Sequence, residues 1–239
     1  ATVDPERDLD RLLIADREAG GGAFPFPDGR EVVADYLASG ASYEGDIVYV
    51  ADLGFAAIDP SGAVVDVVYQ VVQLRTRDAL TLFGEIGVPG GAELLVARTI
   101  KADGRVYVPD DIDGKDALSM PALEQGDFVE LGWVTAESSP TPEARAYRSP
   151  RFYFRVADGA MHHSSMTYTV SGDAPAPSFD VRGEEVVATR EVTPAGTAFR
   201  FEVRGAPAMQ PDPLVPNQEE DTPSVRIATG TTERLLQRM

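Results

Sequence analysis

The stretch Ile47–Arg75, IVYVADLGFAAIDPSGAVVDVVYQVVQLR, decides how the rest of this 239-residue chain is read. Two long apolar runs, Ile47–Ile58 and Ala63–Arg75, flank Asp59-Pro60-Ser61-Gly62. That tetrapeptide is a turn for a physical reason: Pro presets one backbone angle, and Gly adopts the angle that a side chain resists. The second run is apolar in both registers. Val65, Val67, Tyr69 and Val71 fall on one face, and Val64, Val68 and Val72 on the other. A strand with two apolar faces must be covered on both, so this one is predicted at the centre of a sheet.

Working outward, strand-like runs recur at Glu93–Ala102, Arg105–Pro109, Phe128–Val134, Arg151–Val156, Ser165–Val170, Glu185–Val192 and Ala198–Arg204, with a further short candidate at Ser224–Ala228. Alternation places Val129, Leu131, Trp133, Phe199, Phe201 and Val203 in the core. Thr193–Thr197 reads as a hairpin turn, and Gly87–Gly91 as a turn without the Lys-Ser/Thr of a phosphate loop. Helix signals lie near the start. Asp4-Pro5-Glu6 has the residues of a helix N-terminus, and Arg30–Ala38 is a short helix stopped by Ser39-Gly40. Pro207, Pro211, Pro213 and Pro216 exclude a long helix after Gly205. The expected architecture is all-β: a large antiparallel β-sandwich over residues 42–228, a helical segment over 1–41, and a linker or following domain beginning at 229–239.

Composition narrows the function classes. The formal net charge is −18, so the surface repels nucleic-acid phosphates and anionic membranes. There is no cysteine, which excludes disulfides, thiolate nucleophiles and Cys-based zinc sites. No apolar run approaches the ~20 residues of a membrane span. The opening Ala1-Thr2-Val3-Asp4 has no signal-peptide character.

Two blocks carry a resemblance: Ala97–Ile112, ARTIKADGRVYVPDDI, and Ser119–Trp133, SMPALEQGDFVELGW. Their order and spacing resemble the bacterial domain-of-unknown-function family three-eight-five-seven, which sits directly N-terminal to transglutaminase-like domains. The resemblance implies that chemistry belongs to a covalently linked neighbour on the C-terminal side. It also implies an exported or periplasmic setting. No cofactor is expected.

Candidate sites are few. His162-His163 supplies acid–base groups, but strand neighbours point to opposite faces and no spaced partner completes a metal triad. Asp110–Asp116 has alternating carboxylates like a calcium loop. Counted as an EF-hand, however, it places Pro109 at position one and Met120 at position twelve. Ser164-Ser165 beside His163 suggests a nucleophile and base, though adjacency in sequence does not assemble a triad. Arg145, Tyr147, Arg148, Arg151 and Tyr153, with Phe152, Phe154 and Arg155, form a basic aromatic cluster suited to an anion, sugar or peptide.

The expectation is therefore a non-catalytic accessory domain with no metal site. One rival is a carbohydrate- or peptide-binding module. The other is a carbohydrate-active enzyme, for which 39 Asp and Glu residues offer too many carboxylate pairs to choose among.

Overall fold

The computed structural model describes residues 26–109, 117–137, 146–194, 196–209 and 222–230. The expected all-β fold with a short helix near its start is the observed one. Helix α1 spans Gly29–Ser39, and a second helix, α2, spans Arg77–Phe83. The strands are β1 Ile47–Ile58, β2 Val64–Leu74, β3 Glu85–Gly87, β4 Glu93–Ile100, β5 Val106–Tyr107, β6 Ala117–Ser119 and β7 Phe128–Glu137. They continue with β8 Tyr147–Arg148, β9 Phe152–Tyr153, β10 Gly159–Val170, β11 Pro177–Arg182, β12 Val187–Thr193, β13 Gly196–Ala206 and β14 Ser224–Thr229.

The large sheet has eight strands in the order β12-β13-β10-β1-β2-β7-β4-β5. The β1–β2 hairpin turns where the sequence predicts. Asp59 Oδ1 accepts from the backbone N–H of Ser61 at 2.7 Å and of Ala63 at 3.0 Å, and Gly62 takes φ +84°. All pairs in the sheet are antiparallel except one. β1 runs parallel to β10, from Ile47 opposite Gly159 to Ile58 opposite Val170. A smaller sheet has the order β11-β14-β8, with β9 also pairing β14. β3 and β6 form a separate ribbon.

As expected, β2 is covered on both faces. Val64 packs with the small sheet in a cluster that includes Ile58, Tyr147, Tyr168, Phe201, Val225 and Ile227. Val72 and Leu74 pack with Ala79 of α2 and with Met120. On the opposite face Tyr69 and Val71 meet Val33 and Tyr36 of α1. Four of the six residues named as core, Val129, Leu131, Phe201 and Val203, are buried, while Trp133 and Phe199 are half-buried.

Helix α1 is fixed at both ends. The Asp28 carboxylate accepts from the Arg30 backbone N–H at 2.9 Å, and Gly40 closes the C-terminus at φ +65°. Among the described residues no helix is long and apolar enough to cross a membrane.

Candidate functional site

The chain leaves helix α1 at Gly40 and crosses to β1 through residues 41–46. This crossing forms a pocket of about 230 Å³ against the end of β2, lined by Tyr36, Leu37, Ala41, Tyr43, Gln73 and Arg75, with Ser42 at its side. Tyr36 donates to Gln73 Oε1 at 3.2 Å. Tyr43 Oη and His162 Nδ1 share a hydrogen bond of 3.0 Å, and the His162 ring also packs edge-on to Tyr36. Burial, and secondarily the Arg204 charge, hold the His162 pKa below its ordinary value. Burial raises the Tyr36 phenol, and the nearby Arg75 charge opposes that rise. Arg75 Nη1 donates to the carbonyls of Tyr43 and Gly45. Among the described residues no carboxylate forms an ion pair with Arg75, and its Nε and Nη2 have no protein acceptor.

The other sequence candidates separate in space. His163 Nε2 lies 3.3 Å from Arg200 Nη2 and 3.5 Å from Glu202. Arg can only donate, so at this contact Nε2 is the acceptor and carries no proton. Burial, then Arg204 and Arg200, depress the His163 pKa to about 4. Both histidines lie within β10, and the register of β1 shifts beside them, between Tyr49 and Ala51. Ser164 does not meet His163. Its hydroxyl donates to Asp52 Oδ2 at 3.1 Å, while Gln70 Nε2 donates to Oδ1 at 2.8 Å. Asp52, only 6% exposed, therefore lies between donors on both flanking strands, and burial raises its pKa. Asp110–Asp116 lies outside the described residues. Among the described residues no three His, Asp or Glu side chains gather as a metal site.

Arg145 also lies outside the described residues. Arg151 is bound to the Asp180 carboxylate and to Ser224 Oγ, and Arg226 reaches the same carboxylate at 2.9 Å. Tyr147 is buried, Tyr153 half-buried and Arg148 exposed. This part of the basic aromatic cluster is built into the small sheet, where Arg151 and Arg226 tie β11 and β14 together through Asp180.

Two further clusters were not read from the sequence as sites. Glu130 on β7 is 2% exposed; it accepts from Tyr69 Oη at 2.8 Å and from Arg98 Nε. Arg98 also reaches Asp28 at 3.3 Å, which ties β4 and β7 to the start of α1. Lys101 Nζ is surrounded by Asp127 at 2.6 Å, Glu124 at 2.8 Å and the Ala122 carbonyl at 2.6 Å. Ala122 adopts φ +53°, a left-handed conformation unusual for a residue with a side chain. Arg98, Lys101, Glu124, Asp127 and Glu130 belong to the blocks Ala97–Ile112 and Ser119–Trp133, and each has a charged partner inside the fold. Each side chain alone reads in sequence as a solvated charge; only the wide spacing of its partners hides its role.

No protein-family model matches the chain, and no curated protein matches it. The fold matches a crystal structure of a "putative protease" from Parabacteroides distasonis ATCC 8503, with a TM-score of 0.63 and 15% identity. The match covers 77% of this chain and 40% of that one. At this identity the likeness shows a shared fold, and the present chain spans well under two thirds of the Parabacteroides protein.

Proposed function

We propose that the chain is an accessory, non-catalytic β domain of a larger bacterial protein. In this reading it packs beside a covalently linked transglutaminase-like or protease-like domain and positions substrate or partner for it. The observation that carries the reading is the partial overlap: most of this chain corresponds in fold to 40% of a longer protein described as a protease. The resemblance of Ala97–Ile112 and Ser119–Trp133 to a domain that precedes transglutaminase-like domains supports the same arrangement, and with it an exported setting. The polar chemistry in these blocks also supports it. Lys101, Asp127, Arg98 and Glu130 are engaged with one another inside the fold, as residues that hold a scaffold together are. The pocket beside Arg75 supports a second reading, a module that binds a small ligand or peptide.

The test uses the 1–239 chain and the full product of its natural gene. The full product is expected to contain a Cys-His-Asp transglutaminase-like domain after Met239 and to hold any acyl-transfer or peptidase activity there. The 1–239 chain is expected to leave casein and ester substrates intact. Turnover by the 1–239 chain, lost in His163→Ala, would overturn the proposal.

A further inference from the structure

We propose that the pocket between the C-terminal end of α1 and the end of β2 is a binding site for a carboxylate carried on a group of amino-acid size, with Arg75 as its anchor. The pocket holds about 230 Å³, below the ~300 Å³ at which drug-sized sites begin, so it suits one residue or a small acid rather than an oligosaccharide.

Arg75 is held in place by the protein yet left unneutralised. Its Nη1 is spent on the carbonyls of Tyr43 and Gly45, which fix the guanidinium against the 41–46 crossing. The edge formed by Nε and Nη2 keeps two parallel donors, the geometry that matches the two oxygens of a carboxylate. Among the described residues Arg77, Arg148, Arg155 and Arg190 also form no ion pair; Arg75 differs from them in lining a pocket with its guanidinium anchored on two carbonyls. The exposed Glu44 and Asp46 lie within two residues of its carbonyl acceptors, and neither forms an ion pair with it.

The neutral groups around Arg75 complete the site. Tyr36 donates to Gln73 Oε1, which leaves the Gln73 amide N–H group to donate to a ligand. Ser42 adds an exposed hydroxyl, and Leu37 and Ala41 complete the lining. The negative end of the α1 dipole would oppose an anion. Its nearest carbonyls are already occupied, that of Tyr36 by Ser39 Oγ at 2.6 Å and that of Leu37 by the Gly40 N–H at 3.4 Å. One cation with neutral donors favours a singly charged carboxylate over a phosphate dianion.

The carboxylate could come from an acidic side chain or from a free acid or chain terminus, and the probes separate these sources. The 1–239 chain would be titrated with N-acetylglutamate amide, N-acetylglycine and uncharged N-acetylglutamine amide, following the Arg75 Nε–H and Gln73 Nε–H₂ signals by NMR. Saturable shifts from at least one acid and none from the uncharged amide are expected. Tighter binding of the first acid identifies a side-chain carboxylate, and tighter binding of the second a free acid or terminus.

Arg75→Lys is expected to weaken binding at least tenfold, because it keeps the charge and loses the fork. If Arg75→Lys disturbs the 41–46 crossing, Ser42→Asp serves instead: an exposed position given a carboxylate that reaches Arg75 should abolish binding and raise Tm. Absence of saturation by both acids, equal binding of the uncharged amide, or unchanged binding in Ser42→Asp would each overturn the proposal. None of these outcomes depends on whether the chain has a catalytic neighbour.

Discussion

Lys101 Nζ lies 2.6 Å from the Asp127 carboxylate, with each side chain only 8% exposed, and the pair ties the end of β4 to the loop that opens β7. Burial disfavours the ammonium, but the hydrogen bonds it donates to Asp127 and Glu124 outweigh that and leave the Lys101 pKa raised. Removing one member strands the other. Lys101→Met is expected to cost about 2–3 kcal/mol in urea unfolding, somewhat less than the ~3–5 kcal/mol of a fully enclosed pair, because Glu124 is 79% exposed. Glu124→Gln should cost under ~1 kcal/mol. Equal losses from the two substitutions would show that Asp127 is not the principal partner.

Gly29 and Glu130 set a second expectation, with a sign opposite to the usual one. Gly→Ala inside a helix ordinarily gains about 0.5–1 kcal/mol. Here a Cβ on Gly29 would come within 2.4 Å of the Glu130 carboxyl carbon. Arg98 and Tyr69 hold that carboxylate in place, so it cannot swing aside. Gly29→Ala is therefore expected to destabilise by ~1–3 kcal/mol. In a Glu130→Ala background the same change should be neutral or favourable, and a double-mutant cycle measures the coupling. Strict additivity would refute the contact.

His163 makes stability depend on pH. Its folded pKa is about 4, below the ordinary 6.5, because burial, Arg204 and Arg200 disfavour the imidazolium. On acidification the unfolded chain takes up this proton first. Stability is then expected to fall between about pH 6.5 and pH 4, by an amount on the order of 2 kcal/mol, and to level off below. The carboxylates titrate over part of the same range, so the informative quantity is the difference from His163→Gln, which should lack this component. An NMR titration of Arg204→Gln should find the His163 pKa raised. A parallel pH dependence in wild type and His163→Gln would contradict the assignment.

Much of the fold was legible because it rests on local chemistry. The β1–β2 hairpin follows from Pro60 and Gly62 between two apolar runs, and the end of α1 from Ser39-Gly40, whereas its N-cap Asp28 was not read from the sequence. The parallel pairing of β1 with β10 was not legible, since a strand carries no mark of its partner's direction and Ile47 and Gly159 are far apart in sequence. β10 begins at Gly159 rather than Ser165, because the His162-His163 pair breaks the alternation that signals a strand. Helix α2 has one buried side chain, Ala79, too little for a helical period to show.

The sites follow the same rule. Arg151 stood out among aromatics, but its partner Asp180 lies on β11, a strand that opens with a proline and shows no clean alternation. The Arg75 pocket draws on α1, the 41–46 crossing and the end of β2, so no single window of sequence contains it.

The last expectation concerns Asp52, which occupies the middle of the large sheet with a carboxylate and no cation. Gln70 on β2 and Ser164 on β10 each donate to it, and these hydrogen bonds favour the ionised form. Burial opposes that form and prevails, leaving the pKa above its ordinary value. For such an acid the unfolded chain loses its proton first as pH rises. Asp52 should therefore cost stability progressively from the unfolded pKa upward through the folded one, and its full cost should be present above the folded pKa. Asp52→Asn keeps the shape, still accepts from Gln70 through its carbonyl oxygen, and can donate to the Ser164 oxygen through its amide. The variant is expected to match the wild type near pH 3 and to exceed it in urea unfolding at pH 8. Ser164→Ala removes one donor to the carboxylate and should cost about 1–2 kcal/mol at pH 8 in the wild-type background. In the Asp52→Asn background it should cost less, because a neutral amide depends less on that partner. If Asp52→Asn is instead less stable at pH 8 than at pH 3 relative to wild type, the fold requires the charged carboxylate, and the three-strand row of Gln70, Asp52 and Ser164 stabilises an anion after all.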